Sequence, residues 1–170
     1  MENNIFLIGF MGVGKSTIGK VLAETLQTEL MEMDETIEKE QEISINEIFA
    51  QYGETHFRNL ESELVMRIGK GQNTVVSCGG GAVLRAENVE NMKKSGKIIF
   101  LTATPETIYE RVSDSTNRPL LNGNMNVEYI AQLMEKRRTI YQEAADIIIE
   151  TDAKSIEDIV NEILKDYDKL

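Results

Sequence analysis

Gly9-Phe10-Met11-Gly12-Val13-Gly14-Lys15-Ser16-Thr17 is the stretch from which the rest of the chain is read. It fits G-x-x-x-x-G-K-[ST], a spacing that gives a triphosphate each group it needs at a fixed place. Glycines lack a Cβ, so the loop can curl through φ > 0 and bring its amides up to phosphate oxygens. Lys15 then falls on the β- and γ-phosphates, Ser16 on Mg²⁺, and the positive end of the helix that starts here faces the anion. The spacing has this meaning only between a strand and a helix. Ile5-Phe6-Leu7-Ile8 before it is an unbroken apolar run, as in a central strand buried on both faces. After it, Ile18, Val21, Leu22 and Leu26 recur at helical spacing. Both conditions hold, so a loop that binds a nucleoside triphosphate is expected, not a glycine turn without a ligand.

The chain has 170 residues, the length of one domain with a substantial core. Its 18 basic and 29 acidic residues leave a net charge of −11, which would repel a polyphosphate backbone, so no nucleic-acid partner is expected. No run approaches the roughly 20 apolar residues of a membrane span. Met1-Glu2-Asn3-Asn4 lacks the basic region of a signal peptide, so a cytoplasmic protein without membrane contact is expected. Cys78 is the single cysteine, which rules out an internal disulfide and reads as a small buried residue. His56 has no His or Cys at metal-ligand spacing and reads as a surface histidine. Mg²⁺ is the one metal suggested.

Apolar runs at 5–8, 30–33, 74–78, 98–101 and 147–149 alternate with helical patterns, which predicts a parallel sheet covered by helices. Ligands gather beyond the carboxyl ends of such strands, so chemistry is sought just after each run. After the second stand Glu32 and Asp34, on one side of an extended chain. Asp34 is either a helix N-cap or the group that accepts a proton or hydrogen bond from a substrate hydroxyl, with Glu32 holding Mg²⁺ through water. Ser44 with Glu47 reads as a capping box before a short helix. A longer helix over about 54–68 carries an apolar stripe of Phe57, Leu60, Leu64 and Ile68, with Arg58 and Glu61 three apart beside it. That couple is either a surface ion pair or a carboxylate that fixes Arg58 for a bidentate grip on an anion.

Gly79, Gly80 and Gly81 follow the third run, where glycines are costly unless something must come close to the backbone. They read as a floppy turn or as a second cradle of amides facing the substrate. Between about 112 and 124 the helical pattern lapses into a polar stretch with Arg118 in its middle, suited to a lid that brings Arg118 onto the transferring phosphoryl group. On the helix over about 127–144, Ile130, Leu133, Met134, Arg137, Tyr141 and Ala144 form the inward stripe. An inward arginine needs an anion, either a structural carboxylate or that of a substrate. The last helix, with Ile156, Ile159, Val160, Ile163 and Leu164, reads as core packing.

Taken together the chain resembles the shikimate kinases over nearly its whole length. The matching segments are GFMGVGKSTIGKVLA, the acids ending at Asp34, ISINEIF, GETHFRNLE, VVSCGGGAV, RPLL and R-x-x-x-Y at Arg137 to Tyr141. The resemblance implies a single three-layer α/β domain of the P-loop NTPase type, with a five-stranded parallel sheet, a substrate-binding segment near 34–61 and a lid near 112–124. It implies a monomeric kinase that phosphorylates the 3-hydroxyl of shikimate from ATP with Mg²⁺, on the route to chorismate and the aromatic amino acids. By resemblance, Gly12, Val13, Gly14, Lys15, Ser16 and Thr17 hold ATP, Asp34 meets the shikimate hydroxyls, and Arg58 and Arg137 take its carboxylate. Gly79, Gly80 and Gly81 would line the same pocket, Arg118 would sit on the phosphates, and Arg111, Pro119 and the loop at Lys154 would lie near adenine. The family usually has Asp-x-Asp where this chain has Glu32-Met33-Asp34, so Glu32 is one methylene longer toward Mg²⁺. Gluconate kinases and nucleoside monophosphate kinases are the nearest rival enzymes, and a silent nucleotide-binding module is the rival outside catalysis.

Overall fold

The computed structural model describes residues 3–113 and 126–169. Its centre is β1 (Asn4–Ile8), every residue of which is buried. Alternation along an extended chain sends Ile5 and Leu7 into one hydrophobic cluster and Phe6 and Ile8 into another, so β1 supports helices on both faces. Around it stand β2 (Glu29–Glu32), β3 (Thr74–Ser77), β4 (Gly96–Thr102) and β5 (Ile147–Glu150), all parallel in the order β2-β3-β1-β4-β5. Leu7 is in register with Ser77 on one side and Ile99 on the other. The carboxyl ends therefore line up along one edge.

The helices are α1 (Lys15–Leu26), α2 (Met33–Gln41), α3 (Ile45–Tyr52), α4 (Glu54–Ile68), α5 (Ala86–Ser95), α6 (Pro105–Val112), α7 (Val127–Ala144) and α8 (Ile156–Tyr167). A 3-10 turn covers Ala82–Leu84. Residues of α1, α6 and α8 fill one cluster, and residues of α2, α3, α4 and α5 fill the other. Start signals match the chemistry of the sequence. The Ser44 hydroxyl accepts from Glu47 N while the Glu47 carboxylate accepts from Ser44 N, closing the expected capping box. Thr104 caps α6, with Pro105 in its first turn, and Ser155 caps α8.

The second strand is a correction. It ends at Glu32, and Met33, fully buried, already opens α2. Asp34 is thus the second residue of a helix and not its N-cap; the cap position belongs to Glu32, whose side chain makes no capping bond. Glu32 and Asp34 consequently do not share one side of an extended chain. Two acids in the first turn suit the helix dipole, and the Thr36 hydroxyl donating to Glu32 O at 2.7 Å fastens that turn to the strand end.

Candidate active site

Neighbouring strands β1 and β3 send the chain in opposite directions, β1 through α1 to β2 and β3 through α5 to β4. A crevice opens where the directions part. On one side of it lies the glycine loop, with Gly12 at φ 79° and Gly14 at φ 105°, backbone that side chains rarely tolerate. Lys15 Nζ donates to Gly9 O at 2.8 Å and Phe10 O at 3.3 Å, so its ammonium is folded over the loop it serves. Arg111 on α6 donates to Val13 O at 2.8 Å and to the Thr151 hydroxyl at 3.4 Å, tying the loop after β5 to the glycine loop. A cleft of about 610 Å³ results, which includes Lys15, Ser16, Thr17, Glu32, Arg111 and Lys154 in its lining. Lys154 Nζ rests on Glu162 Oε2 at 2.5 Å. Asp152, next to Thr151, ties the loop after β5 to the start of α6 by accepting from Thr104 N, Thr104 Oγ1 and Thr107 Oγ1; burial works against its charge, but these donors hold its carboxyl below the usual range.

Across the crevice a second cavity of about 440 Å³ is lined by Ile45, Phe49 and Phe57, by Arg58 and Glu61, by all three glycines 79–81, and by Arg137. Met11, Asp34, Gly79 and Gly80 line both cavities. A third cavity, larger at about 710 Å³, runs between α7 and the edge strand β5. Lys15, Asp34, Arg58, Glu61, Arg111 and Arg137 are all absent from its lining, so size does not mark the site.

Arg58 and Glu61 meet as the helical spacing predicts, Nη1 to Oε2 at 2.5 Å, and Arg58 Nη2 reaches Glu54 at 3.2 Å. The pair is not on the surface: Glu61 is 1 % exposed. A carboxylate there is costly unless paired. Burial lifts the Glu61 pKa while Arg58 pulls it down, and the carboxylates raise that of Arg58 against its own burial. The two shifts pull apart, and the short bond to a guanidinium charged at any ordinary pH decides for an ionised pair. Burial also raises the Asp34 pKa, with Lys15 working against it and Glu38 and Glu32 adding to it. Water reaches Asp34 through the cleft, which weakens that rise relative to a sealed carboxylate.

The glycine run also serves a packing purpose. None of Gly79, Gly80 and Gly81 has a positive φ. A Cβ at Gly79 would stand 2.8 Å from Asp34 Oδ1 and 2.9 Å from Glu61 Oε1, and one at Gly81 would fall inside the Arg58 guanidinium. The missing side chains are what let three charged groups close on one backbone segment. Arg137 donates to Gly80 O at 3.3 Å, and among the described residues no carboxylate lies within ion-pair distance of it. Tyr141, placed on the inward stripe but given no task, donates to the same oxygen at 2.5 Å. Its signal was its position four residues after Arg137. Arg118, Pro119 and most of the lid lie outside the described residues. His56 is half-buried against the Tyr52 ring, and Cys78 is 1 % exposed, its thiol pushed far up by burial.

A phosphate loop facing a cation-lined cavity across a shared carboxylate defines a P-loop kinase for a small anionic acceptor. A family model described as shikimate kinase matches residues 11–168. The chain belongs to the shikimate kinase family. The shikimate kinase of Thermodesulfovibrio yellowstonii is 42 % identical over 167 residues, covering 98 % of this chain and 96 % of that one. That of Persephonella marina is 47 % identical over 161 residues, covering 95 % and 96 %. Among solved structures, shikimate kinase from Acinetobacter baumannii in complex with shikimate superposes with a TM-score of 0.89 at 34 % identity, covering 96 % of this chain and 91 % of that one. A gluconokinase from Sinorhizobium meliloti, at 18 % identity and a TM-score of 0.60 over 98 % of this chain and 92 % of its own, shares the fold alone.

Proposed function

We infer that this enzyme transfers the γ-phosphoryl group of ATP to the 3-hydroxyl of shikimate, giving shikimate 3-phosphate and ADP, a step in the biosynthesis of chorismate and the aromatic amino acids. One observation carries the assignment of roles: the nucleotide cleft and the arginine-lined cavity meet at Asp34. A hydroxyl bound in one cavity then lies at the mouth of the other. Arg58, held from behind by Glu61, and Arg137 grip the carboxylate of shikimate, and Asp34 accepts the proton of the attacking hydroxyl. Lys15 and the amides from Gly12 to Thr17 stabilise charge as it moves onto ADP, with Arg118 joining from the lid. Arg111, Pro119 and the loop at Lys154 border the base.

Oxygen donors at the cleft, the Ser16 hydroxyl and the Glu32 carboxylate, fit a hard cation such as Mg²⁺. Among the described residues no three His, Cys, Asp or Glu side chains converge as a metal site, so these two would hold Mg²⁺ together with phosphate oxygens and water. Bound there, the ion neutralises charge on the nucleotide phosphates. The net charge of −11 supports a protein with no nucleic-acid partner. No helix among the described residues is long and apolar enough to cross a membrane; with the single cysteine this supports a cytoplasmic place. ADP release in the presence of shikimate, gluconate or AMP tests the acceptor. Release with shikimate alone is expected, and release independent of all three overturns the assignment.

A further inference from the structure

Carbonyl accounting across the glycine run singles out one oxygen. Gly79 O accepts from Ala82 N at 3.0 Å and Gly81 O from Leu84 N at 3.1 Å, both donors lying in the 3-10 turn. Gly80 O instead receives two side chains of α7, Tyr141 Oη at 2.5 Å and Arg137 Nη1 at 3.3 Å. The two donors are unequal. Tyr141 is 2 % exposed and its ring stacks on Phe100 with centroids 5.1 Å apart, so its hydroxyl is fixed. Arg137 makes the longer, weaker bond from a side chain that lines the acceptor cavity. Gly80 is half-buried and lines both cavities, so a donor lost from its oxygen has to be replaced by water or by Arg137.

We propose that Tyr141 is a positioning residue for the acceptor: its hydroxyl satisfies the Gly80 carbonyl alone, which releases Arg137 to the substrate carboxylate without orphaning that oxygen. This rests on the role given above to Arg137. Were the hydroxyl absent, Gly80 O would have Arg137 as its donor, and the carboxylate would have to take the guanidinium away from it. Burial, against the charge of Arg137 and a hydrogen bond from it to the phenol oxygen, raises the Tyr141 pKa and so keeps the phenol a donor through the neutral range.

Tyr141→Phe tests this, because it keeps the ring stack and removes one hydroxyl. The shikimate KM should rise about tenfold while the ATP KM stays put. The melting temperature should change little. In an Arg137→Ala background, where the shikimate KM is already high, adding Tyr141→Phe should do almost nothing. If Tyr141→Phe leaves the shikimate KM unchanged, shifts both KM values together, or acts equally in both backgrounds, the proposal is overturned while the role of Arg137 stands. If Arg137→Ala itself leaves the shikimate KM unchanged, it is the role of Arg137 that is wrong.

Discussion

A Cβ at Gly81 would occupy the space of the Arg58 guanidinium, the mobile end of a long side chain, so the backbone need not yield. Gly81→Ala should therefore still fold, but by pushing Arg58 off Glu61 it leaves a buried carboxylate unpaired, so the melting temperature should fall while the shikimate KM rises at least tenfold and the ATP KM stays unchanged; thermal melts and steady-state kinetics read this directly. Asp34 gives a prediction in pH. In the role proposed for it, its ionised form accepts the hydroxyl proton, and its pKa is raised, by burial first, so kcat/KM should fall with acid at a higher pH than an ordinary aspartate near 3.9 would give. Asp34→Asn should remove that limb together with about 10²–10⁴ of the rate. Stability runs the other way. A carboxyl that binds its proton more tightly in the native state adds stability below about 3.8, and that contribution is lost as pH rises through the raised native pKa. Urea unfolding at pH 7 should accordingly find Asp34→Asn no less stable than the parent, with the gap closing toward pH 4.

At the scale of elements, α3 is held differently from the helices that lie on the sheet. It packs mainly on α4 and α2, and it brings Ile45 and Phe49 to the wall of the acceptor cavity. Its start depends on the Ser44–Glu47 capping box. Ser44→Ala removes a cap whose loss costs about 0.5–2 kcal/mol, and the loosening should stay local. Amide exchange in α3 should quicken and the shikimate KM should rise a few-fold, with the ATP KM unmoved. An equal change in both would place α3 outside acceptor binding. The same elements show what the sequence discloses. The loop at Gly9, the capping box and the Arg58–Glu61 contact are local patterns, legible because spacing alone decides who can touch. The burial of Glu61 was not legible, since an acid three residues from an arginine looks the same on either face of α4 until β3 and the glycine run are packed against it. The end of β2 was misplaced for a related reason: Met33 is apolar and continues the strand-like run, but its burial comes from α2.

Over the whole molecule, the site is an edge of the sheet. The glycine loop follows β1, Glu32 and Asp34 follow β2, the glycine run follows β3, Thr104 follows β4, and Thr151 to Lys154 follow β5. Lys15, Arg58, Arg111, Arg137 and Lys154 gather there in a chain whose net charge is −11, which puts local positive charge beside two anionic ligands. Because the cavities are separate but adjoin, each ligand should bind and stabilise without the other. A ligand at a hundred times its Kd adds about 2.7 kcal/mol to unfolding, which for a domain of this length corresponds to a rise in Tm of about 5–10 °C. Shikimate alone and ADP alone should each give such a shift. Lys15→Met should abolish the ADP shift, keep the shikimate shift, and lose about 10²–10³ in kcat. Arg58→Ala should do the reverse, keeping the ADP shift and losing that of shikimate. If either substitution removed both shifts, the two cavities would be one binding unit, and the division of labour between the glycine loop and the arginines would be wrong.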